Sequence, residues 1–197
     1  MPKDPTNITV YHTSNDPTPP HVLASKRARR NREFNTTGGF HSGTINAALD
    51  RSLMMQHIHE QEYYSQRTEE GIHEDNHGPD FTTYMHTYQI KKRPSMMTFE
   101  DPHEAGYDDQ EHQSTGMDMP KDYQENMQVL ENSKTSINKY RNRWEDPGSI
   151  SYVIPHQLVE SGHVKHLNTQ QFNTDPAAQE RDDGGYHAEA KKELGLS

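Results

Sequence analysis

The sequence predicts a mostly irregular, extended and core-poor chain with one or two α-helices that becomes ordered only on a partner. Two observations favour this fold class: Leu, Ile, Val and Phe account for 27 of the 197 residues, and the formal net charge is −10. A chain with less than roughly 20% of these four apolar residues and a high net charge is typically disordered. It buries too little apolar surface to offset the entropy of ordering its backbone, so a partner would have to supply the missing core.

The first segment, residues 1–43, is predicted to be extended and rich in Pro and Gly. Five prolines precede residue 21, and they fix an extended backbone that makes few hydrogen bonds. A basic run from Lys26 to Arg32 carries five positive charges in seven residues. The Gly38-Gly39 pair that follows permits a tight change of direction.

A helix is predicted over residues 44–70. Thr44 can cap its first turn, and apolar residues recur mostly at three- and four-residue spacings from Ile45 through Leu49 and Leu53 to Ile58. This apolar stripe is thin, so we expect the helix to need a partner for stability.

An acidic irregular linker is predicted over residues 71–120. The stretch from Glu100 to Glu125 holds nine acidic residues against Lys121 as its one basic residue. Residues 81–90 (FTTYMHTYQI) have the aromatic and β-branched content of a strand.

A second helix is predicted over residues 121–144, followed by an irregular tail over 145–197. Seven residues at alternating four- and three-residue steps form the seam of this helix, namely Tyr123, Met127, Leu130, Lys134, Ile137, Arg141 and Trp144. Two of the seven seam positions, Lys134 and Arg141, are charged. The helix should therefore pack against another protein rather than pair with itself, so a homo-oligomer is not expected.

The motifs of common enzyme classes are missing from the sequence. It has no Cys, no Gly-x-Ser-x-Gly nucleophile elbow and no glycine-rich phosphate loop, so we expect neither catalysis nor a bound cofactor. The fourteen histidines suggest a metal hypothesis, best placed at His57, His59 and Glu60 with His73 and His77. Glycine and proline interrupt the helix that the last pair would need, so no metal site is expected.

Charge and hydropathy narrow the range of partners. The negative net charge disfavours general nucleic-acid binding, and apolar runs of at most three residues exclude a membrane-spanning helix. The basic run is compatible with a nuclear import signal, a nucleic-acid contact or a contact with an acidic protein surface. A cytosolic or nuclear compartment is expected.

Two strings in the first quarter carry a resemblance to a known family. Tyr11-His12-Thr13-Ser14-Asn15 precedes a histidine after prolines at His21, and Gly38-Gly39-Phe40 leads into Thr44-Ile45-Asn46, Leu49 and Ser52. In order and approximate spacing these strings resemble the Piercer family of ciliary microtubule inner proteins. The spacer between them is shorter here, and His41-Ser42-Gly43 replaces the family's Arg-Asn-Asn.

The resemblance implies a small, polar structural protein that lines the A-tubule of axonemal doublets, contacts tubulin and other axonemal proteins, and helps to anchor the outer dynein arm docking complex. Together with the basic run, it predicts partner contacts at Tyr11, Thr13, Ser14, Asn15, Arg27, Arg29, Arg30, Gly38, Gly39, Phe40, Thr44, Asn46, Leu49 and Ser52. The expected location is the axoneme of a cilium or flagellum. Two alternatives remain open: a disordered nuclear or cytoplasmic regulator with a basic import signal, and an internal or cement protein of another large assembly.

Overall fold

The computed structural model describes residues 7–30, 39–69, 82–91, 97–99, 136–142, 145–173 and 185–196. Within these ranges the strands are β1 (Asn7–Ser14), β2 (Gly39–Ser42), β3 (Thr83–Lys91), β4 (Met97–Phe99), β5 (Ile137–Arg141), β6 (Ile150–Pro155) and β7 (Val164–Phe172). The helices are α1 (Pro20–Arg30), α2 (Ile45–Glu69), α3 (His156–Glu160) and α4 (Gly185–Glu193). None of the described helices is long and apolar enough to cross a membrane.

The prediction of a mostly irregular chain ordered only on a partner is wrong, because the described residues form two sheets and four helices around their own cores. Of the 19 buried apolar residues that the structure describes, only 11 are Leu, Ile, Val or Phe. The other eight are Ala, Tyr and Met, which are not among the four residue types whose low content predicts disorder. Tyr and Met bury large apolar side chains, and Ala lets neighbouring elements approach closely.

The two sheets meet at one corner. In sheet 1, β3 lies between β1 and β7, and both pairings are antiparallel. In sheet 2 the order is β2-β6-β5-β4, antiparallel except for the β4–β5 pair. Tyr11 of β1 and Gly43 after β2 exchange two main-chain hydrogen bonds of 3.0 and 2.9 Å, which join the sheets.

Strand β3 separates two apolar clusters, because alternate side chains of a strand point to opposite faces. Tyr88 and Ile90 face a cluster between the two sheets that also contains Phe40 and Ile154. Met85 faces the other cluster, which is closed by α2 and α4 and whose buried members are Ala48, Leu49, Met85, Phe172, Tyr186, Ala190 and Leu194. Sheet 1 therefore has sheet 2, α1 and α3 on its Tyr88 face and helices α2 and α4 on its Met85 face.

Helix α2 begins where the sequence places it. The Thr44 side-chain oxygen accepts a 3.1 Å hydrogen bond from the Ala47 amide, as an N-cap residue does. Leu49 and Ser52 are 0% exposed and face sheet 1. The packed sheet supplies the partner that the thin apolar stripe requires.

Four other segment predictions need correction. Within residues 1–43, two strands flank α1, whose first residue is Pro20, a favourable residue at the first helical position. The predicted strand at 81–90 corresponds to β3, inside the segment interpreted as an irregular linker. Residues 137–141 of the predicted helix 121–144 form β5, and residues 121–135 lie outside the described residues. The predicted irregular tail contains β6, α3, β7 and α4.

Candidate functional site

Four histidines from four elements lie together between sheet 1 and α1. They are His12 of β1, His21 of α1, His86 of β3 and His166 of β7, and we call them the histidine cluster. His86 is 0% exposed, whereas the other three are half-buried.

Strand register places three of the four imidazoles on one face. His12 pairs directly with His86, and both share the face of Tyr88 because β3 alternates. In β7, His166 pairs with Tyr88 and Thr169 pairs with His86, with a bulge between these pairs. Residues 166 and 169 differ in parity, so a regular strand would point them to opposite faces. The extra residue, Leu167, which is 43% exposed, lets both face the cluster.

Helix α1 supplies the fourth imidazole. His21 Nδ1 lies 2.9 Å from the Tyr88 hydroxyl, and the His21 ring lies 5.5 Å from the His166 ring, measured between centroids. On the same helix Ser25 donates a 3.1 Å hydrogen bond to Glu160 of α3, and Ala24 is 1% exposed. The first half of α1 is therefore fixed against the domain.

A chain of hydrogen bonds orients the buried part of the cluster. The Ser14 hydroxyl donates to the Asp16 carbonyl at 2.7 Å, so its oxygen must accept from His86 Nε2 at 3.0 Å. His86 then carries its proton on Nε2, and its Nδ1 accepts from the Thr169 hydroxyl at 2.9 Å. The Thr169 oxygen in turn accepts from His166 Nε2 at 3.2 Å. One tautomer of His86 and one of His166 satisfy every bond in this chain.

His12 closes the cluster on the side of sheet 2. Its Nδ1 donates a hydrogen bond to the main-chain carbonyl of His41. The His12 and Phe40 rings pack edge to face, with their centroids 6.2 Å apart. The His12 and His86 rings lie 6.0 Å apart, also measured between centroids.

Burial keeps the imidazoles neutral. It lowers the pKa of His12 to about 3 and the pKa of His86 to about 4, and it also lowers the pKa values of His21 and His166. Neighbouring imidazoles act in the same direction, because a proton on His166 repels one on His86 or His21. All four side chains are therefore uncharged at neutral pH.

This arrangement does not activate a nucleophile. The Ser14 proton is committed to the Asp16 carbonyl, and His86 Nδ1 is paired with a hydroxyl instead of the carboxylate that orients a catalytic histidine. Across the described residues, no group of three or more His, Asp or Glu side chains has the geometry to hold a metal ion. What the cluster can do is couple the packing of α1 and sheet 1 to the protonation of its imidazoles.

The predicted partner contacts from the two Piercer-like strings largely serve the fold. Thr13, Phe40, Leu49 and Ser52 are buried, and Thr44 caps α2. The Thr13 hydroxyl donates 2.7 Å to the Ala48 carbonyl, so the two strings contact each other.

The other predicted contacts differ in their surroundings. Asn15 is exposed in the turn before α1, Tyr11 and Asn46 are half-buried, and Ser14 belongs to the hydrogen-bond chain of the cluster. Gly39 opens β2, and Gly38 lies outside the described residues. Arg27, Arg29 and Arg30 lie in the last part of α1.

The proposed metal residues are not brought together by the described part of the chain. His57 Nε2 lies 2.8 Å from Gln61 Nε2 on the exposed side of α2, and His73 and His77 lie outside the described residues. No sequence motif marks the histidine cluster, because its members stand at positions 12, 21, 86 and 166, and strand register together with the packing of α1 brings them together. The one available signal was the alternation of Ile8, Val10 and His12 before the prolines.

A second polar group joins α2, α4 and the turn between β5 and β6. The two Asp50 carboxylate oxygens accept from His187 Nε2 at 2.7 Å and from the Asp146 amide at 2.9 Å. Thr44 donates 2.6 Å to the Asp146 carboxylate. Because Asp50 uses both oxygens in these contacts, this group is a structural junction.

Comparison with known proteins gives no match, whether to a family model, to a curated protein or to a solved structure.

Proposed function

We propose that this protein is a non-enzymatic structural protein that binds, as a folded domain, to an acidic protein polymer. Because its first quarter resembles Piercer proteins, we propose the ciliary doublet microtubule as this polymer. Because the chain buries its own core, it would dock on the polymer through a folded surface and would not wrap along it as an extended chain.

Charge distribution is the observation that supports this proposal. Outside the run from Lys26 to Arg32, 15 Lys and Arg residues stand against 30 Asp and Glu residues. The first half of α1 is held by its contacts to Tyr88 and Glu160, and Lys26, where the run begins, is exposed. A concentrated positive charge on an anchored helix can bind an acidic surface while the rest of the molecule is repelled, which fixes the orientation of binding.

The predicted contacts divide accordingly. Asn15 and the three arginines at 27, 29 and 30 remain candidates for the docking surface. Phe40 and Leu49 are 3% and 0% exposed, so their role is to hold the domain together.

Co-sedimentation with purified doublet microtubules tests the proposal. A variant with Arg27, Arg29 and Arg30 replaced by Gln should lose most of its binding at low salt. Salt screens the attraction between charges, so the contribution of these arginines is largest when the salt concentration is low. A matched control replaces the exposed Lys91, Lys165 and Lys192 by Gln and changes the net charge equally. Equal loss in both variants, or none in either, would contradict docking through α1.

The nuclear regulator is the second candidate, favoured by the same basic run. Localisation of a tagged full-length chain separates the two functions. Retention on axonemes after detergent extraction supports the structural protein, whereas nuclear accumulation that the arginine variant abolishes supports the regulator.

A further inference from the structure

We propose that the histidine cluster is an acid-sensitive latch, which holds α1 on sheet 1 while its imidazoles are neutral and releases α1 when neighbouring imidazoles are protonated. This inference does not depend on the proposed function. It rests on the geometry of the cluster and on the charges around it.

The first argument is the spacing of the rings. The centroid of His166 lies 5.5 Å from that of His21 and 6.2 Å from that of His86, and His12 lies 6.0 Å from His86. Protonation of any two neighbours therefore places two positive charges 5.5 to 6.2 Å apart in a partly buried site. Of the four, His21 alone belongs to a helix, so separating α1 from the sheet relieves its repulsion with His166.

The second argument is the direction of the hydrogen bonds. A neutral His86 accepts from Thr169 and donates to Ser14. A protonated His86 would donate from both nitrogens, and the Thr169 hydroxyl would then lose its acceptor. The chain of bonds thus fits the neutral state and opposes the charged one.

The third argument is the shortage of negative charge around the cluster. Among the residues that the structure describes, two carboxylates act on it, Asp16 after β1 on His86 and Glu160 of α3 on His21. The other titratable or charged groups in the described ranges that face the cluster or its carboxylates are Lys26 of α1, His41 of β2, Arg51 of α2, Tyr88 of β3 and His156 of α3. These groups cannot neutralise several protonated imidazoles.

Protons can reach the cluster from one side. His166 lines a cavity of about 260 Å³ whose lining also includes Gln89, Val164 and Lys165. The half-buried imidazoles can therefore titrate before the domain unfolds as a whole.

The sign of the pH effect follows from proton binding. A released histidine has an ordinary pKa of about 6.5, and the docked imidazoles have lower values, so the released state binds more protons below about pH 6.5. The stability of the docked state is therefore greatest above that pH. As pH falls, the equilibrium constant for docking of α1 decreases by up to about tenfold per pH unit for each proton taken up.

Hydrogen–deuterium exchange of the full-length chain at pH 7.5 and 5.0, corrected for intrinsic exchange rates, tests the latch. We expect protection of the α1 amides to fall at least tenfold more than protection of β6, which contributes no residue to the cluster. Carboxylates stay ionised over this range, so the change reports on histidines. Equal changes in α1 and β6 would overturn the proposal.

Variants assign the effect to the cluster. His21→Gln and His166→Gln each remove one titrating ring while keeping a hydrogen-bonding side chain, so both should reduce the acid-induced loss of α1 protection. His57→Gln changes an exposed histidine of α2 and should behave like the wild type. Only the cluster variants that are folded at pH 7.5 are compared with the wild type. If these variants lose as much α1 protection at pH 5.0 as the wild type does, the latch is refuted. If neither is folded, the wild-type comparison of α1 with β6 decides.

Discussion

The Thr13 hydroxyl donates a 2.7 Å hydrogen bond to the main-chain carbonyl of Ala48, and so ties β1 to the second turn of α2. Thr13 is 3% exposed, and Ala48 packs in the cluster between α2 and sheet 1. The two Piercer-like strings of the sequence are therefore one structural unit, with the strand of the first lying against the helix of the second.

Replacing Thr13 by Val should lower the free energy of unfolding by about 1 kcal/mol, because the change keeps the shape and removes one buried hydrogen bond. Thr13→Ser keeps the hydroxyl and should retain the bond. Urea unfolding of both variants measures the difference, with Thr9→Val on the exposed face of β1 as a neutral control. Equal stability of Thr13→Val and wild type would contradict the inferred tie.

Phe40→Ala and Leu49→Ala should each destabilise the isolated chain by about 2 to 5 kcal/mol, since both side chains are buried in apolar clusters. Thermal unfolding followed by circular dichroism measures this loss. Met54→Ala alters a side chain that is 41% exposed and should stay within about 0.5 kcal/mol of the wild type. An unchanged melting temperature for both core variants would mean that these residues are held for docking instead.

Close packing at the corner between the sheets makes Gly43 sensitive to substitution. A Cβ at this position would lie 3.0 Å from Ser151 Oγ and 3.1 Å from the Ala47 Cβ. Ser151 Oγ is held by a 2.8 Å hydrogen bond from Asn142, so Gly43→Ala should cost about 1 to 3 kcal/mol.

A double-mutant cycle tests the cause of that cost. Ser151→Ala removes the oxygen, so Gly43→Ala should cost less in the Ser151→Ala background than in the wild type. Additive effects of the two substitutions would show that Ser151 is not the obstacle.

Global stability should also depend on pH through His86, which is fully buried. Its folded pKa of about 4 lies below the ordinary value, so the unfolded chain binds more protons between about pH 4 and 6.5. Stability attributable to His86 is complete above that window and falls by roughly 1 kcal/mol per pH unit within it. His86→Gln should flatten the dependence measured by urea unfolding at pH 7.5, 6.5 and 5.5. An unchanged slope would contradict the assignment.

Part of this fold could be predicted from local patterns. The apolar spacing and cap at Thr44 predict a helix close to the bounds of α2, and the β-branched and aromatic run at residues 81–90 corresponds to β3. Both signals are local, so neither needs knowledge of a partner element.

Other elements were hidden by composition. Strand β1 contains no proline, but the prolines on both sides of it favour an extended coil in its segment. In β7 only Val164 and Phe172, at its two ends, are buried, so no apolar alternation marks it. At β5 the residue spacing predicts a helix seam of period 3.5 but the chain forms a strand, because Ile137 fits both patterns. The histidine cluster depends on the pairing of β1 and β7 with β3 and on the bulge in β7, which no local pattern specifies.

Histidine side-chain NMR of the isolated chain tests the central claim most directly, namely that the chain folds by itself around a neutral histidine cluster. We predict that His86 keeps a single proton on Nε2 and titrates near pH 4, or not at all before acid unfolding, as burial lowers its pKa. A ring that titrates near pH 6.5, as an ordinary histidine does, would contradict both the fold around β3 and the latch.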